Sequence, residues 1–116
     1  MTKSIPESNN LELLLWIFRQ RKRFRVTGKS MLPLLKPDDE VLVDYKAYKK
    51  NSPQLEDIVV AKHPYQNNLK LIKRVKRVGN NSYFLQGDNE DYSTDSRHFG
   101  EITLKEILGK VICFFP

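Results

Sequence analysis

The stretch Leu69-Lys70-Leu71-Ile72-Lys73-Arg74-Val75-Lys76 is the core of the longest strand that the sequence predicts, which extends to Val78. Side chains alternate between the two faces of a strand. Three of the four basic residues therefore share one face. The fourth, Lys73, lies alone on the other face, in a row whose remaining members are apolar (Leu69, Leu71 and Val75). This segregation makes Lys73 the residue that most needs an explanation.

A lysine in an apolar row is costly as a cation, because burial removes water from the charged form and lowers the pKa. Lowering the pKa from about 10.4 to about 7 would need roughly 4 to 5 kcal/mol of differential destabilisation. Two interpretations fit the pattern. Either the stem of Lys73 covers apolar surface while its ammonium reaches water, or a neutral amine accepts a proton from a nucleophile.

Five other segments show strand periodicity or the turn residues that bound strands. They are residues 23–27, 40–45, 57–62, 83–86 and 110–115. Gly79-Asn80-Asn81 is a turn signal between the long strand and the segment that returns beside it. Near the N-terminus, Asn9 and Glu12 resemble a capping box that would begin a helix extending to about Phe18. The sequence therefore predicts a mainly β fold with a short N-terminal helix.

Length and composition fit a single globular domain. The chain has 116 residues, of which 40% are hydrophobic, and its formal net charge is +6. A chain of this size can bury enough surface to fold without cross-links. We expect a polar N-terminus and short helix over residues 1–22 and one folded domain over residues 23–116. The lone cysteine, Cys113, has apolar neighbours and is predicted to be a buried strand thiol.

The basic charge leaves the choice of partner open. Its densest run, between Arg19 and Arg25, follows the apolar stretch from Leu13 to Phe18. A solvated helix end is the favoured interpretation, with contact to lipid, protein or nucleic acid as alternatives. The apolar run is far shorter than the roughly 20 residues that span a bilayer, and a signal peptide's basic start and cleavage site are missing. We expect a cytoplasmic protein that could touch a membrane without crossing it.

Two further segments carry groups that can do chemistry. Gly28-Lys29-Ser30-Met31-Leu32-Pro33 places a serine just past a strand end, where a side chain can point into a cleft from a fixed backbone. Residues 87–100 read GDNEDYSTDSRHFG and are dense in turn formers, hydroxyls and carboxylates. By composition alone these are an ordinary turn and an ordinary surface loop. An exposed pair such as Asp95 and Arg97 would contribute only about 0 to 1 kcal/mol.

Taken in order, three short boxes resemble those of type I signal peptidases and their relatives. They are Ser30-Met31-Leu32-Pro33, Ile72-Lys73-Arg74, and a Gly-Asp-Asn box that continues through Ser-x-Asp-Ser-Arg, from Gly87 to Gly100. Each box is short, but three in the right order are specific, and the resemblance extends from about Val26 to Phe115. It implies a coiled, mostly antiparallel β-sheet of barrel-like shape as the catalytic domain.

The resemblance also implies a serine endopeptidase with a Ser-Lys catalytic dyad and no cofactor. Ser30 would be the nucleophile and neutral Lys73 the general base. Ser93 would hold the lysine amine in place by a hydrogen bond, and Asp95 and Arg97 would brace the loop that carries Ser93.

The oxyanion region departs from the family pattern. Many relatives have a hydroxyl residue two positions before the nucleophile, where this chain has Gly28. Loss of one such donor can cost about 2.7 to 4 kcal/mol of transition-state stabilisation. The Ser30 backbone N–H would then act together with Thr27 or a second amide. Glu90 stands where the family commonly has Arg, which removes no proposed catalytic group.

The short spacing between boxes suggests a particular kind of substrate. Only 13 residues separate Lys73 from Gly87, too few for the additional β-domain of large signal peptidases. A short, unanchored chain of this type is similar to the maturation proteases of nickel-type superoxide dismutase. This resemblance implies removal of an N-terminal leader from the dismutase precursor as the reaction and that precursor as the partner.

Several alternatives remain. Self-cleaving repressors share a Ser-Lys pair but cut an Ala-Gly type bond in themselves, and neither Ala47 nor Ala61 precedes a glycine. An ordinary signal peptidase could work at a membrane through Trp16, Phe18 and the adjacent arginines. A basic β-barrel that binds nucleic acid or another partner would fit the charge but would leave the three boxes unexplained. His63 and His98 lack metal-ligand spacing, so no metal site is predicted.

Overall fold

The structure is a computed structural model that describes residues 22–66 and 68–115. The predicted helix from Asn9 to Phe18 lies outside these residues, as does nearly all of the predicted N-terminal segment. Within the described ranges, no helix is long and apolar enough to cross a membrane.

Six strands form one antiparallel sheet in the order β1-β2-β6-β3-β4-β5. They are β1 (Lys22–Arg25), β2 (Glu40–Asp44), β3 (Ile58–Lys62), β4 (Lys70–Val78), β5 (Tyr83–Gln86) and β6 (Ile107–Phe115). All neighbouring strands run antiparallel. This confirms the predicted mainly β, antiparallel fold. The described strands do not close into a complete barrel, and β1 and β5 are the edges of the sheet.

Each predicted strand is present, with small differences at the ends. β6 begins at Ile107, three residues before the predicted start, directly after a single 3-10 turn at Leu104–Glu106. Residues 87–100, predicted to be a loop, contain a 3-10 turn at Glu90–Tyr92 and one turn of α-helix, α1 (Ser96–Phe99). Asp95 caps α1 by accepting a hydrogen bond from the Arg97 backbone N–H.

Apolar residues cover both faces of the central strand β3. Val59 and Ala61 pack into one buried cluster with Val75 and Leu85, and the side chains on the opposite face belong to a second cluster. The second cluster contains Val26, Met31, Leu35, Val41, Val43, Ile58, Val60, Ile72 and Val111. Burial on both faces explains why β3 is a nearly continuous apolar run. Cys113 is buried, as predicted.

β4 carries two consecutive buried cations, Lys73 and Arg74, whose side chains point to opposite faces of the sheet. The alternation of the strand is interrupted further along, where a bulge shifts the register between Val75 and Arg77. β4 therefore places one buried cationic side chain on each face of the sheet. This strand positions the candidate site.

Candidate active site

The cleft that contains the candidate site lies between the segment after β1 and the first half of β4. Residues 26–31 form one wall and residues 69–73 the other, with Phe24, Tyr92 and Thr94 completing the lining. The volume of the cleft is about 260 Å³. The fold thus joins residues of all three sequence boxes in one cavity, although the first two boxes lie about 40 residues apart in the chain.

Ser30 and Lys73 are hydrogen-bonded to each other in this cleft. The distance from Lys73 Nζ to Ser30 Oγ is 2.7 Å. Lys73 is only 3% exposed, so its amine does not reach water as a snorkelling lysine would. That alternative interpretation of Lys73 is therefore wrong, because the end of the side chain is directed at a hydroxyl inside the protein.

Burial lowers the pKa of the Lys73 amine from 10.5 to about 8. Two charges modify this effect in opposite directions: the Asp95 carboxylate raises the pKa and the Arg97 guanidinium lowers it. An amine with this pKa is uncharged in a sizeable minority of molecules near neutral pH, which an exposed lysine is not. A neutral amine beside a hydroxyl can accept the proton of that hydroxyl.

The backbone around Ser30 is held by the Gly-Asp-Asn box. The Ser30 carbonyl oxygen accepts a hydrogen bond from the Asn89 backbone N–H at 2.8 Å, and the Lys29 carbonyl oxygen accepts one from Asn89 Nδ2 at 3.1 Å. Within the described residues, the backbone N–H groups of Ser30 and Met31 have no hydrogen-bond acceptor. Asn89 is a supporting residue that was not predicted from the sequence, although it lies in the third box.

Gly28 adopts a φ of +78°. A side chain at this position would meet no atom within 4 Å, so space does not explain the glycine. The reason is the backbone conformation, which residues with a Cβ adopt only with strain. A serine or threonine in place of Gly28 would require a different path of the chain into Ser30. Thr27, the alternative hydroxyl, is exposed and lines the cleft.

Asp95 is the centre of a buried polar cluster beneath Lys73. Its carboxylate is 0% exposed and accepts hydrogen bonds from the Arg97 guanidinium, the Ser93 hydroxyl and the Gly87 backbone N–H. Burial raises the pKa of this carboxyl, but the hydrogen bonds from Arg97, Ser93 and Gly87 outweigh it and lower the pKa below the ordinary value. The view of Asp95 and Arg97 as an exposed pair is wrong, because the carboxylate has no contact with solvent.

The hydroxyl of Ser93 is oriented differently from the prediction. We expected it to bond the Lys73 amine, whereas in the structure it donates to Asp95 and accepts from the Gly87 backbone N–H at 3.2 Å. No hydrogen bond joins Ser93 to Lys73 in the described part of the chain. The physical reason is that the buried carboxylate, which carries a full charge, is the stronger acceptor for this hydroxyl.

Gly87 lies where the first and third boxes meet. A Cβ at Gly87 would lie 2.6 Å from the Ser30 carbonyl oxygen and would also overlap the Ser93 hydroxyl. Only a glycine lets the two segments approach this closely. The close approach places the Ser93 and Asp95 cluster directly behind the Ser30 loop.

Arg74 forms a separate network on the other face of β4. Its guanidinium donates to both carboxylate oxygens of Asp88, at 2.9 and 2.8 Å, and to the Glu56 carbonyl oxygen at 3.2 Å. Asp88 immediately follows Gly87, so this bidentate pair fixes the third box against β4. No sequence pattern predicted this pair.

Comparison with known proteins assigns this chain to a class of peptidases. Residues 16–112 match the Peptidase S24-like family. The match covers most of the chain and includes the cleft, both walls and the Asp95 cluster. The chain therefore belongs to the Peptidase S24-like family.

Two relatives match at the level of individual proteins. Signal peptidase I V of Bacillus subtilis (strain 168) is 46% identical over 43 residues, which are 37% of this chain and 26% of the relative. Mitochondrial inner membrane protease subunit 1 of Xenopus tropicalis is 31% identical over an alignment of 105 residues, which covers 73% of this chain and 63% of the relative. The chain thus spans less than two thirds of the length of each of these relatives.

Proposed function

We propose that this protein is a serine endopeptidase that removes an N-terminal segment from a precursor protein, with Ser30 and Lys73 as its catalytic dyad. The observation that carries the proposal is the 2.7 Å hydrogen bond between the Ser30 hydroxyl and a lysine amine that is almost completely buried. A charged amine would be a poor base, and burial is the physical means of making it neutral. Membership of a peptidase family supports the same chemistry.

In the first half of the reaction, Ser30 Oγ attacks the carbonyl carbon of the scissile peptide bond. Lys73 Nζ accepts the hydroxyl proton as the new C–O bond forms. When the tetrahedral intermediate collapses, the C–N bond breaks and Lys73 gives that proton to the departing amine. The products of this half are a Ser30 ester and the released C-terminal part of the substrate.

Water completes the reaction. Lys73, neutral again, accepts a proton from a water molecule that attacks the ester carbonyl, and the C–O bond to Ser30 breaks as the serine regains a proton. The free acid then leaves. Lys73 performs the same role in both halves, so one residue of suitable pKa is sufficient.

We assign two hydrogen-bond donors, one backbone N–H and one side-chain hydroxyl, to stabilise the negative charge that develops on the carbonyl oxygen. The Ser30 N–H has no acceptor within the described residues, which leaves it available to an incoming oxyanion. Thr27 is the candidate for a second donor, because its side chain lines the same cleft. Gly28 supplies the turn that directs this segment and contributes no hydroxyl.

Ser93, Asp95 and Arg97 are positioning residues in this proposal. Asp95 accepts hydrogen bonds from both others and from Gly87, so it holds the wall behind the dyad rigid. Its charge favours protonated Lys73, and Arg97 compensates that charge. The balance between them sets the pH at which the base is neutral.

The substrate is proposed to bind as an extended strand beside β4. β3 pairs with residues 70–74 along one edge of β4, and β5 pairs only with residues 74–78 along the other. Among the described strands, residues 70–73 therefore have one unpaired edge, and this edge borders the cleft. A peptide that adds to such an edge gains backbone hydrogen bonds whatever its sequence.

The precursor of a nickel-type superoxide dismutase is our first candidate substrate, because the short spacing of the boxes resembles its maturation proteases. A secretory precursor is the second candidate, because one relative is a signal peptidase. Contact of the basic N-terminal segment with a membrane would favour the second.

Incubation of the purified chain with each precursor, followed by mass spectrometry of the products, tests the proposal. We expect one precursor to be cut at a single site near its N-terminus, and the Ser30→Ala variant to leave both intact. Cleavage by Ser30→Ala at the wild-type rate would contradict the dyad. Cleavage of only the secretory precursor would contradict the dismutase assignment and leave the dyad in place.

A further inference from the structure

Two cationic side chains at the cleft have no carboxylate partner. Lys29 and Lys70, one from each wall, line the cavity, and neither forms an ion pair with the residues that the structure describes. Five cations elsewhere in the described chain do form such pairs. They are Arg23 with Glu40, Arg74 with Asp88, Lys76 with Glu56, Arg97 with Asp95 and Lys110 with Asp57. Several exposed lysines of the described chain outside the cleft, such as Lys105, also lack one, so the position of Lys29 and Lys70 in the cleft is what distinguishes them. The cleft walls thus carry positive charge that the fold leaves uncompensated.

The surroundings of each lysine reinforce this charge. Lys70 is directly opposite Lys62 on the neighbouring strand, and like charges in that position repel. The Lys29 ammonium lies 5.7 Å from the centre of the Tyr92 ring, on the rim of the cleft. Of the described residues that line the cleft, none carries a carboxylate. A substrate carboxylate beside Lys70 would relieve the repulsion there, and one beside Lys29 would meet a cation for which the cleft lining offers no competing carboxylate.

We infer that the cleft selects peptides with an acidic side chain close to the scissile bond, and that Lys29 and Lys70 are the residues that select it. This inference rests on the proposed function. Lys70 is three residues before Lys73, a distance of about 10 Å along a strand, and its side chain extends from the opposite face of β4 at the open edge of the cleft. A substrate that lies along β4 therefore meets Lys70 with a residue two or three positions from the bond that Ser30 attacks. Lys29, the neighbour of the nucleophile, acts nearer that bond.

The expected size of the selection follows from the exposure of both lysines. An exposed ion pair changes a binding constant by up to about fivefold. Each lysine, acting on a carboxylate at its own substrate position, would give a preference of up to about fivefold for Asp over the isosteric Asn, and the preference would fall as salt is added. The effect is on substrate choice, so it is measured as a ratio of kcat/KM values within each enzyme variant.

A peptide library made by digesting a bacterial proteome offers many different bonds to the enzyme, so the natural precursor need not be identified first. Mass spectrometry after incubation with the full-length chain identifies the bonds that are cut, and Asp and Glu should be enriched within three residues of them on one side. Matched Asp and Asn peptides built on the best-cut sequence then give the kcat/KM ratio.

Charge reversal identifies the lysines responsible. In Lys70→Glu the ratio should invert in favour of Asn, and in Lys29→Gln it should decrease by a few fold. Lys105→Glu changes another exposed lysine, outside the cleft, and should keep the wild-type ratio. A wild-type ratio near one, or a ratio that Lys29 and Lys70 do not affect, would overturn the inference while peptide cleavage itself continued.

Two other outcomes have distinct meanings. If no peptide and no precursor is cut, the peptidase proposal fails, and the inference fails with it. If Lys70→Glu loses binding to phosphatidylserine vesicles while the Asp to Asn ratio stays near one, the cations serve a lipid surface and the substrate inference is overturned.

Discussion

Lys73 and Arg74 are neighbours on one strand and are buried to nearly the same extent, 3% and 2% exposed, yet the protein treats their charges in opposite ways. Arg74 is met by the carboxylates of Asp88 and Glu56 and remains a paired cation. Lys73 is met by the hydroxyl of Ser30, and the carboxylate that acts on it, Asp95, is already engaged by Arg97. Burial with compensation keeps Arg74 a paired cation, whereas burial without it lowers the pKa of Lys73, which its proposed role as the general base requires.

The largest expected effect is the loss of activity when Lys73, whose charge is not compensated, or its partner Ser30 is replaced. Ser30→Ala and Lys73→Ala should each reduce kcat by about 10⁴-fold or more, since the two groups act as a unit. Lys73→Arg should be as inactive, because a guanidinium stays charged and cannot accept the proton. Cleavage of the identified precursor measures the effect, and circular dichroism checks that each variant is folded. An active Lys73→Arg variant would show that charge, and not proton transfer, is what the reaction needs.

Loss of a partner of Arg74, whose charge is compensated, should instead lower the stability of the fold. Asp88→Ala removes the bidentate partner of a buried guanidinium, and we expect the free energy of unfolding to fall by about 3 kcal/mol. Glu40→Ala is the matched control, because it removes the partner of Arg23 in a pair that is largely exposed, and it should cost less than about 1 kcal/mol. Urea titration measures both. Equal losses would mean that burial of Arg74 does not matter.

A smaller effect with the opposite sign is expected for Lys73→Met. The folded-state pKa of Lys73, about 8, is below its unfolded value, so the folded protein bears a cost at pH 7 that disappears as pH rises past 10.5. After allowing for the lost hydrogen bond to Ser30, Lys73→Met should be more stable than wild type by about 2 kcal/mol at pH 7. The difference should shrink between pH 8 and 10.5. A variant less stable than wild type at every pH would mean that burial of this amine carries no cost.

The smallest effect is expected for Arg97, whose charge lowers the pKa of Lys73, the proposed base. Arg97→Met removes a charge that lowers the pKa of Lys73 and leaves the Asp95 carboxylate that raises it. The rise of activity with pH should therefore move toward alkaline values, with a rate at pH 7 about threefold lower relative to the plateau. A pH-rate profile normalised to its plateau separates this shift from any loss of folded protein. A shift toward acid pH would contradict the assigned electrostatics.

The strands of this protein could be predicted from sequence because their patterns are local. Period-two alternation and turn residues identified β4 and the hairpin that follows it. The start of β6 was missed because Ile107 directly follows a 3-10 turn, and no turn residue marks the boundary. Local signals define a strand more surely than they define its ends.

The site was predictable only where a residue type was unusual for its surroundings. Lys73 in an apolar row gave such a signal, and the order of the boxes connected it to Ser30. The buried state of Asp95 gave none, because a segment of Asp, Ser and Thr has the same composition whether it faces water or a guanidinium. No local pattern indicated the partner of Arg74, since Asp88 is 14 residues away, beyond the end of β5, and only the pairing of Gln86 with Arg74 brings it close.

The most direct test of the central claim is the pKa of the Lys73 amine itself, which needs no substrate. Heteronuclear NMR of protein labelled in its lysine side chains, titrated from about pH 5 to 11 to bracket the ordinary lysine range, follows this amine, and the signal is assigned by its loss in Lys73→Met. We predict a midpoint near pH 8, well separated from those of the exposed lysines. A midpoint near 10.5 would show that Lys73 is an ordinary cation at neutral pH and would contradict its assignment as the general base.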